Sequence, residues 1–432
     1  MKRTSIILFT ILLAIIKANA QNSKTVFTTD IDNFWIAYDS TQTTKDSLQQ
    51  IHFIEKFYID KGTKGLKAFM EARDYNAELW VKLIRRYPKF WRSIRTNTFA
   101  VKSYEAEIEK SIKRFKELYP ALKKAEMYFT VGGLNSGGTT MDDMVLIGTE
   151  IATGNAGTDV SEFPNKWLEG VFKNQRADNI IPLNIHEYVH TQQKGEPNTL
   201  LGQCIKEGAC DFITELVIGK PMQNNYIVYG REHEADLKEQ FKNEMFTGFY
   251  QNWLYNGSSA KTVADLGYFM GYTICKTYYN NAIDKKKAIK EIIELKYSDS
   301  MAVEKFLENS KYYTSSLNKQ ELIRSFESKR PYVVRLEPFA NGDNSVDANT
   351  KELKIVFSSP MVKGAYSINN GKRGKDHSPI IGVTGFSEDG TVLILKIELK
   401  ANHEYEFILT DRSFRSADGY PLKPYEVKFK TQ

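Results

Sequence analysis

The sequence predicts a multidomain α+β protein: a mainly helical region that holds a small β-sheet, followed by an all-β sandwich. Three observations predict it. Apolar residues recur at three- and four-residue steps from about residue 31 to 124 and again from about 179 to 295, which is the period of amphipathic helices. Between these stretches, residues 126–133 and 144–151 run apolar in the manner of strands. From Pro331 onward the helical period is gone, and short alternating runs separated by turn residues take over.

At 432 residues the chain has room for two or three domains with buried cores. A hydrophobic content of 41% and a charged content of 26% place it among ordinary globular proteins. Lys2 and Arg3 precede an apolar run from Ile6 to Ile16, and Ala18-Asn19-Ala20 follows as a small-residue cleavage site. That is the layout of a signal peptide over residues 1–20. The run is too short to span a bilayer. No cysteine directly follows it, which speaks against a lipid anchor. The expected product is exported, periplasmic or secreted, with no transmembrane span. Subtracting Lys2, Arg3 and Lys17 from the formal +6 leaves +3, and no basic stripe interleaves with aromatics. A nucleic-acid partner is therefore not expected. Lys285-Lys286-Lys287 reads as the solvated face of a helix.

In chain order, Phe34, Trp35 and Tyr38 open the helical region, and Ile51, Ile54, Phe57 and Tyr58 continue it. Gly62 and Gly65 punctuate it, Tyr87-Pro88 marks a boundary, and Pro120 closes it. These aromatics read as packed core, with a carbohydrate-binding stripe as the other reading. After the first strand comes a loop, Asn135-Ser136-Gly137-Gly138, and the small sheet offers an edge to an extended peptide. A helix then starts at Asp178 or Asn179 with Pro182 in its first turn, and stops at Gly195 before Pro197. A second helix covers 199–218, and further helices cover 232–255, 263–279 and 285–295. Gly267 and Gly271, four apart, suit close helix packing. In the tail, strands are expected at 353–357, 380–384, 391–399, 404–409 and 425–429, giving a sandwich over 331–432. The region 21–330 before it forms the other domain. Cys204, Cys210 and Cys275 are odd in number and suit burial as small apolar residues.

The chemistry lies in His186-Glu187-Tyr188-Val189-His190. On a helix, positions four apart share a face, so both imidazoles can reach one metal ion. Glu187 stands one step round the helix, where a carboxylate can act as general base toward metal-bound water. A zinc site needs a third protein ligand, and Glu207 on the following helix is the first candidate, with Asp211 and Glu215 as alternatives. Asp211 can instead accept a hydrogen bond from a ligating histidine. Gly208 and Ala209 leave room beside the site. Tyr188 has no assigned role, and His52, His377 and His403 read as surface or packing residues.

His-Glu-x-x-His followed by Glu-x-x-x-Asp resembles the gluzincin class of zinc metallopeptidases. More narrowly, residues 31–295 resemble a bacterial family of predicted zinc-dependent proteases related to a gliding-motility lipoprotein. Asp32-Asn33-Phe34-Trp35, Tyr58-Ile59-Asp60-Lys61-Gly62, the pentad, and Gly267-Tyr268 through Gly271-Tyr272 carry that resemblance. The tail resembles bacterial Ig-like modules of surface proteins through Pro338, Asn341-Gly342 and Ile355-Val356-Phe357-Ser358-Ser359-Pro360-Met361. The resemblance implies a zincin-like catalytic domain over 21–330 and an Ig-like sandwich over 331–432. It implies one Zn2+ on His186, His190 and Glu207, with Glu187 as the catalytic base in peptide hydrolysis. The second oxyanion donor stays open among Arg231, His233, Tyr268 and Tyr272. The implied partners are a peptide or protein substrate and an envelope or cell-surface partner for the Ig-like module. A different class of function, a non-catalytic zinc-containing binding protein of the envelope, keeps the same residues for structure.

Overall fold

The computed structural model describes residues 24–164, 166–175, 179–257, 260 and 262–432. The expected signal peptide and the capping position at 178 lie outside them. The chain divides into two compact units. The first comprises the chain up to Asn198, with Gly202–Glu232 and Gly257–Thr314; the second comprises Thr199–Leu201, His233–Asn256 and Ser315–Gln432.

The first unit opens with a short strand, β1 (Val26–Phe27), and six helices. These are α1 (Thr29–Thr41), α2 (Ser47–Ile54), α3 (Lys64–Arg73), α4 (Ala77–Arg86), α5 (Pro88–Ala100) and α6 (Glu105–Leu118). Their starts follow from side-chain chemistry. Asp46, Thr63 and Asn76 each accept a hydrogen bond from a backbone amide two or three residues on, satisfying donors that a helix start leaves orphaned. Pro88 takes the first position of α5, where its missing N–H costs nothing. The apolar faces converge on an aromatic core. Phe34 meets Trp35 and Tyr58 edge to face, and Tyr58 meets Trp80 in the same way. All of these rings are buried, so the aromatics are core and not a binding stripe.

A small sheet follows, with order β1-β2-β4-β3, where β2 is Glu126–Thr130, β3 is Gly138–Met141 and β4 is Met144–Gly148. β1, β2 and β4 run parallel, and β3 lies antiparallel on β4 as an edge. β2 and β4 are buried apart from their first residues, as a covered parallel pair should be, whereas β3 is only half-buried. Both central strands end earlier than their apolar runs suggest. At Thr149 the chain turns into a one-turn helix, α7 (Thr149–Ala152), because Glu150 folds back onto the loop after β2. The edge strand β3 was not expected; its Gly-Thr-Thr-Met sequence has no apolar alternation to announce it.

The rest of this unit is helical: α8 (Trp167–Asn174), α9 (Ile180–His190), α10 (Leu200–Ile218) and α11 (Asn225–Glu232). After α12 (Glu234–Glu244), which belongs to the second unit, come α13 (Leu266–Asn281), α14 (Lys285–Ile293) and α15 (Ser300–Ser310). The helix expected over 232–255 covers only Glu234–Glu244, and the residues after it to 255 are turns; His233, with a non-helical φ of −120°, separates it from α11. Helix α15 was not expected.

Contact between α10 and α13 is at backbone level. A Cβ on Gly271 would lie 1.6 Å from the Cys204 carbonyl oxygen, and one on Gly208 would lie 2.0 Å from the Tyr272 nitrogen. Gly208 therefore leaves no space beside the site, contrary to expectation: the backbone of α13 fills it. All three cysteines are buried and free. Among the described residues no helix is long and apolar enough to cross a membrane.

The second unit holds α12, α16 (Lys319–Lys329) and seven strands: β5 (Val333–Glu337), β6 (Glu352–Phe357), β7 (Ile368–Asn370), β8 (Ile380–Phe386), β9 (Val392–Ile397), β10 (Glu404–Leu409) and β11 (Tyr425–Lys430). Two antiparallel sheets, β5-β6-β9-β8 and β11-β10-β7, share one apolar core that includes Leu353, Ile355, Leu393, Phe407 and Val427. This is a sandwich.

Candidate metal centre

Helix α9 is pinned before its histidines are reached. The buried Tyr188 hydroxyl accepts from the Ala125 amide at 2.9 Å and donates to the Ala125 carbonyl at 3.2 Å. That fixes the helix against the start of β2. Asn179 precedes the helix without capping it through its side chain, and Pro182 lies in the first turn. The helix ends at His190, earlier than expected, and Gly195 (φ +84°) takes the left-handed turn beyond. His186 is therefore interior, while His190 sits in the last turn and depends on other residues for its orientation.

Three side-chain atoms converge. His186 Nε2 and His190 Nε2 are 3.2 Å apart, and Glu207 Oε2 lies 3.4 Å from the first and 3.2 Å from the second. Each ring is oriented through its other nitrogen. His186 Nδ1 meets Asp211 Oδ1 at 2.8 Å, and Asp211 Oδ2 accepts from the Tyr226 hydroxyl at 3.0 Å. His190 Nδ1 meets Gln193 Oε1 at 2.8 Å. The Gln193 amide is itself fixed, because its Nε2 donates to the Lys206 carbonyl and to the Tyr297 hydroxyl.

The donor chemistry decides what this arrangement can hold. An ionised carboxylate and an amide oxygen only accept, so both Nδ1 atoms carry protons and, in the neutral rings, both Nε2 atoms present lone pairs. Two lone pairs and a carboxylate oxygen then point at one another in a nearly dry site, which is repulsive unless a cation lies between them. For tetrahedral zinc with ligand bonds of about 2.0–2.1 Å, ligand atoms stand about 3.3 Å apart. The three separations match that edge length, so the residues fit the ion.

Charge in the site behaves accordingly. Burial opposes protonation of His186, but Asp211 and Glu207 outweigh it and hold its pKa well above the usual value. Burial likewise disfavours ionised Glu207, yet the His190 and His186 rings hold its carboxyl well below the usual range. Without a metal, the site collects protons in its place.

A second grouping, His186, His190 and Cys210, also gathers potential ligand atoms, within 4.8 Å of one another. The Cys210 sulfur lies 3.3 Å from His190 Nδ1, not Nε2, and also contacts the Lys206 carbonyl and Gln193 Oε1. It sits at the back of the ring. Burial, then the nearby Glu207, push its thiol pKa well up, so it packs as a neutral group. We assign the converging set to Glu207.

Of the other expected residues, Glu187 is half-buried beside the sheet edge: a Cβ on Gly138 in β3 would lie 3.9 Å from its carboxyl carbon. Asp211 orients a ring, while Glu215 is engaged elsewhere. Its carboxylate receives the Lys276 ammonium at 2.8 Å and the Tyr272 hydroxyl at 2.7 Å, with Arg231 at 3.4 Å. Tyr272 and Arg231 thus belong to that cluster, and His233 belongs to the second unit. Only Tyr268 of the four oxyanion candidates is set against a ligand ring, with its own ring 6.0 Å from that of His186 and tilted by 27°. Gln193, Tyr226 and Tyr297 escaped sequence reasoning. Gln193 lies three residues past His190, a spacing that offered a signal; the two tyrosines offered none.

A family model described as Gliding motility protein GldB matches residues 17–263. No curated protein matches the chain. Among solved structures, CopC from Methylosinus trichosporium OB3b is 22% identical, with a TM-score of 0.17, covering 24% of this chain and 96% of that one. The surface layer protein SbsC, domains 1–6, is 11% identical with a TM-score of 0.18, covering 74% of this chain and 45% of that one. The S-layer protein rSbsC(31-844) is 12% identical with a TM-score of 0.17, covering 61% of this chain and 36% of that one. The chain thus spans less than half of either surface-layer structure.

Proposed function

The chain belongs to the gliding motility protein GldB family, and from that premise we propose that it is an exported, gluzincin-like zinc metallopeptidase. That family is one of envelope lipoproteins, and the protein is exported. The observation that carries the hydrolytic reading is the convergence of two imidazole lone pairs and a carboxylate, with a second acid, Glu187, on the adjoining step of the helix that bears the imidazoles.

His186, His190 and Glu207 would hold the ion. Zinc at such a site supplies a water with a pKa near 7 and a Lewis acid for a carbonyl oxygen. The chain's own residues do the rest. Asp211 and Gln193 keep both ligand rings in the tautomer that frees Nε2. Glu187, beside the edge strand, takes a proton from water and returns it to the leaving amine. β3, as the edge strand of its sheet, would take an extended peptide alongside it, whose scissile carbonyl would then lie near Glu187. Tyr268 is the residue best set to donate to the oxyanion. The sandwich in the second unit, read as Ig-like, serves attachment to an envelope or surface partner.

The family description favours a second reading, a zinc-containing binding protein without catalysis. Glu187 weighs against it, because a structural zinc site has no use for an uncoordinated base. The two readings separate with Glu187→Gln, assayed for metal content and for cleavage of a broad peptide library. Stoichiometric zinc in both proteins, with cleavage only by the wild type, supports the peptidase. Equal cleavage by the variant rules out the assigned base, and zinc-loaded wild type inert on every peptide leaves the binding role.

A further inference from the structure

Glu150 is a carboxylate with no exposed surface, and the metal centre does not account for it. Its Oε2 accepts from the Gly132 amide at 2.7 Å and its Oε1 from the Leu134 amide at 3.2 Å. Both amides lie in the loop 131–137 that carries the chain from β2 to the edge strand β3. The loop is held under strain, since Leu134 adopts φ +62°, a left-handed conformation unfavourable for a branched side chain. Other straps help. The Tyr58 hydroxyl accepts from the Val131 amide and donates to its carbonyl, Trp80 Nε1 donates to the Gly132 carbonyl, and Tyr75 donates to Asn135. Glu150 differs from these in bringing a carboxyl group to the loop.

We propose that Glu150 is a positioning residue that, through the Gly132 and Leu134 amides, holds the 131–137 loop and so sets the edge strand beside Glu187. The consequence for a peptide rests on the peptidase reading; the consequence for the loop does not. The titratable groups around Glu150 are the hydroxyls of Tyr58 and Tyr75, on which it acts; Asp30 also acts on Tyr58, and Arg73 on Tyr75. Burial raises its pKa to about 7, against the opposing pull of the Gly132 amide, its own amide and the Leu134 amide. Because the closed loop binds this proton more tightly than a solvated carboxyl would, raising the pH through 7 favours opening of the loop.

Amide hydrogen exchange of the whole protein, followed by mass spectrometry over residues 131–141 from pH 5 to pH 8, tests this. After correction for intrinsic exchange chemistry, the opening of that segment in wild type should rise at least about tenfold across the range. Glu150→Gln should remove the pH dependence, and Glu150→Ala should speed exchange there at every pH, with α9 and zinc content unchanged. Flat wild-type protection across the range, or unchanged exchange in Glu150→Ala, overturns the proposal. If the alanine variant does not fold, the wild-type and glutamine series decide alone. Cleavage assays run in parallel separate the readings: exchange behaving as described in a protein that cleaves nothing sinks the peptidase, not the latch.

Discussion

Asp211 holds the Nδ1 edge of His186 at 2.8 Å while its other oxygen takes the Tyr226 hydroxyl. The carboxylate is buried, so its charge is felt strongly by the ring. It fixes the tautomer and raises the basicity of the opposite nitrogen, which is the one that would bind metal. Asp211→Asn keeps an oxygen able to accept the ring proton but removes the charge. Zinc affinity, measured by competition with a chromophoric chelator, should fall by about 10–100-fold, with helix content unchanged. An unchanged affinity would mean that Asp211 is only packing.

The approach of α10 to α13 sets the place of Glu207, because Gly208 is its neighbour and Gly271 faces Cys204 one turn earlier. Gly271→Ala puts a methyl carbon 1.6 Å from a carbonyl oxygen of α10, where no rotamer can relieve it. The helices must part. Overpacking of this kind costs about 1–3 kcal/mol, and more when backbone is struck. The expected outcome is a clear fall in thermal midpoint by circular dichroism, together with weakened zinc binding.

How much of this was legible follows from what each element uses as its signal. The pentad declared itself because spacing on a helix is a local property. Glu207 and Asp211 could be placed because the next helix begins after a short turn, so its return toward α9 was foreseeable. Glu215 shares their helix and stood as an alternative to Glu207; only packing shows it taken by Lys276 and Tyr272. Gln193 lies past the helix end, where its orientation depends on Tyr297, more than a hundred residues away in sequence. The edge strand β3 was hidden because pairing with β4, not its own composition, makes it a strand. In the tail, alternation announced β10 with its bounds, whereas the three-residue β7 is too short to show a period.

The Glu215 cluster carries its own pH signature. Burial alone would raise this carboxyl, but the Lys276 and Tyr272 hydrogen bonds outweigh it, and its pKa lies below the ordinary 4.5. A depressed carboxyl contributes stability above its unfolded pKa and loses it as pH falls through the folded one. Glu215→Gln should therefore destabilise by about 2 kcal/mol near neutrality, the scale of hydrogen bonds to a charged group. The gap between wild type and variant should narrow as the pH falls below the ordinary 4.5. Urea unfolding at pH 7 and at pH 3.5 checks both the size and the sign.

The choice between Glu207 and Cys210 as third ligand can be made directly. Cys210 contacts His190 on the Nδ1 side, where Gln193 already accepts the ring proton, and its thiol is held neutral by burial. To bind metal it would have to lose a proton in a site dominated by Glu207 and Asp211, against their charge. Cys210→Ala should therefore keep one zinc per chain, with affinity within a few-fold of wild type. Glu207→Ala removes the convergent oxygen and leaves two imidazoles, too few for a stable zinc site. It should lose zinc on dialysis at neutral pH while keeping its fold. Metal analysis of the two variants distinguishes the ligands: zinc retained by Glu207→Ala and lost by Cys210→Ala would reverse the assignment.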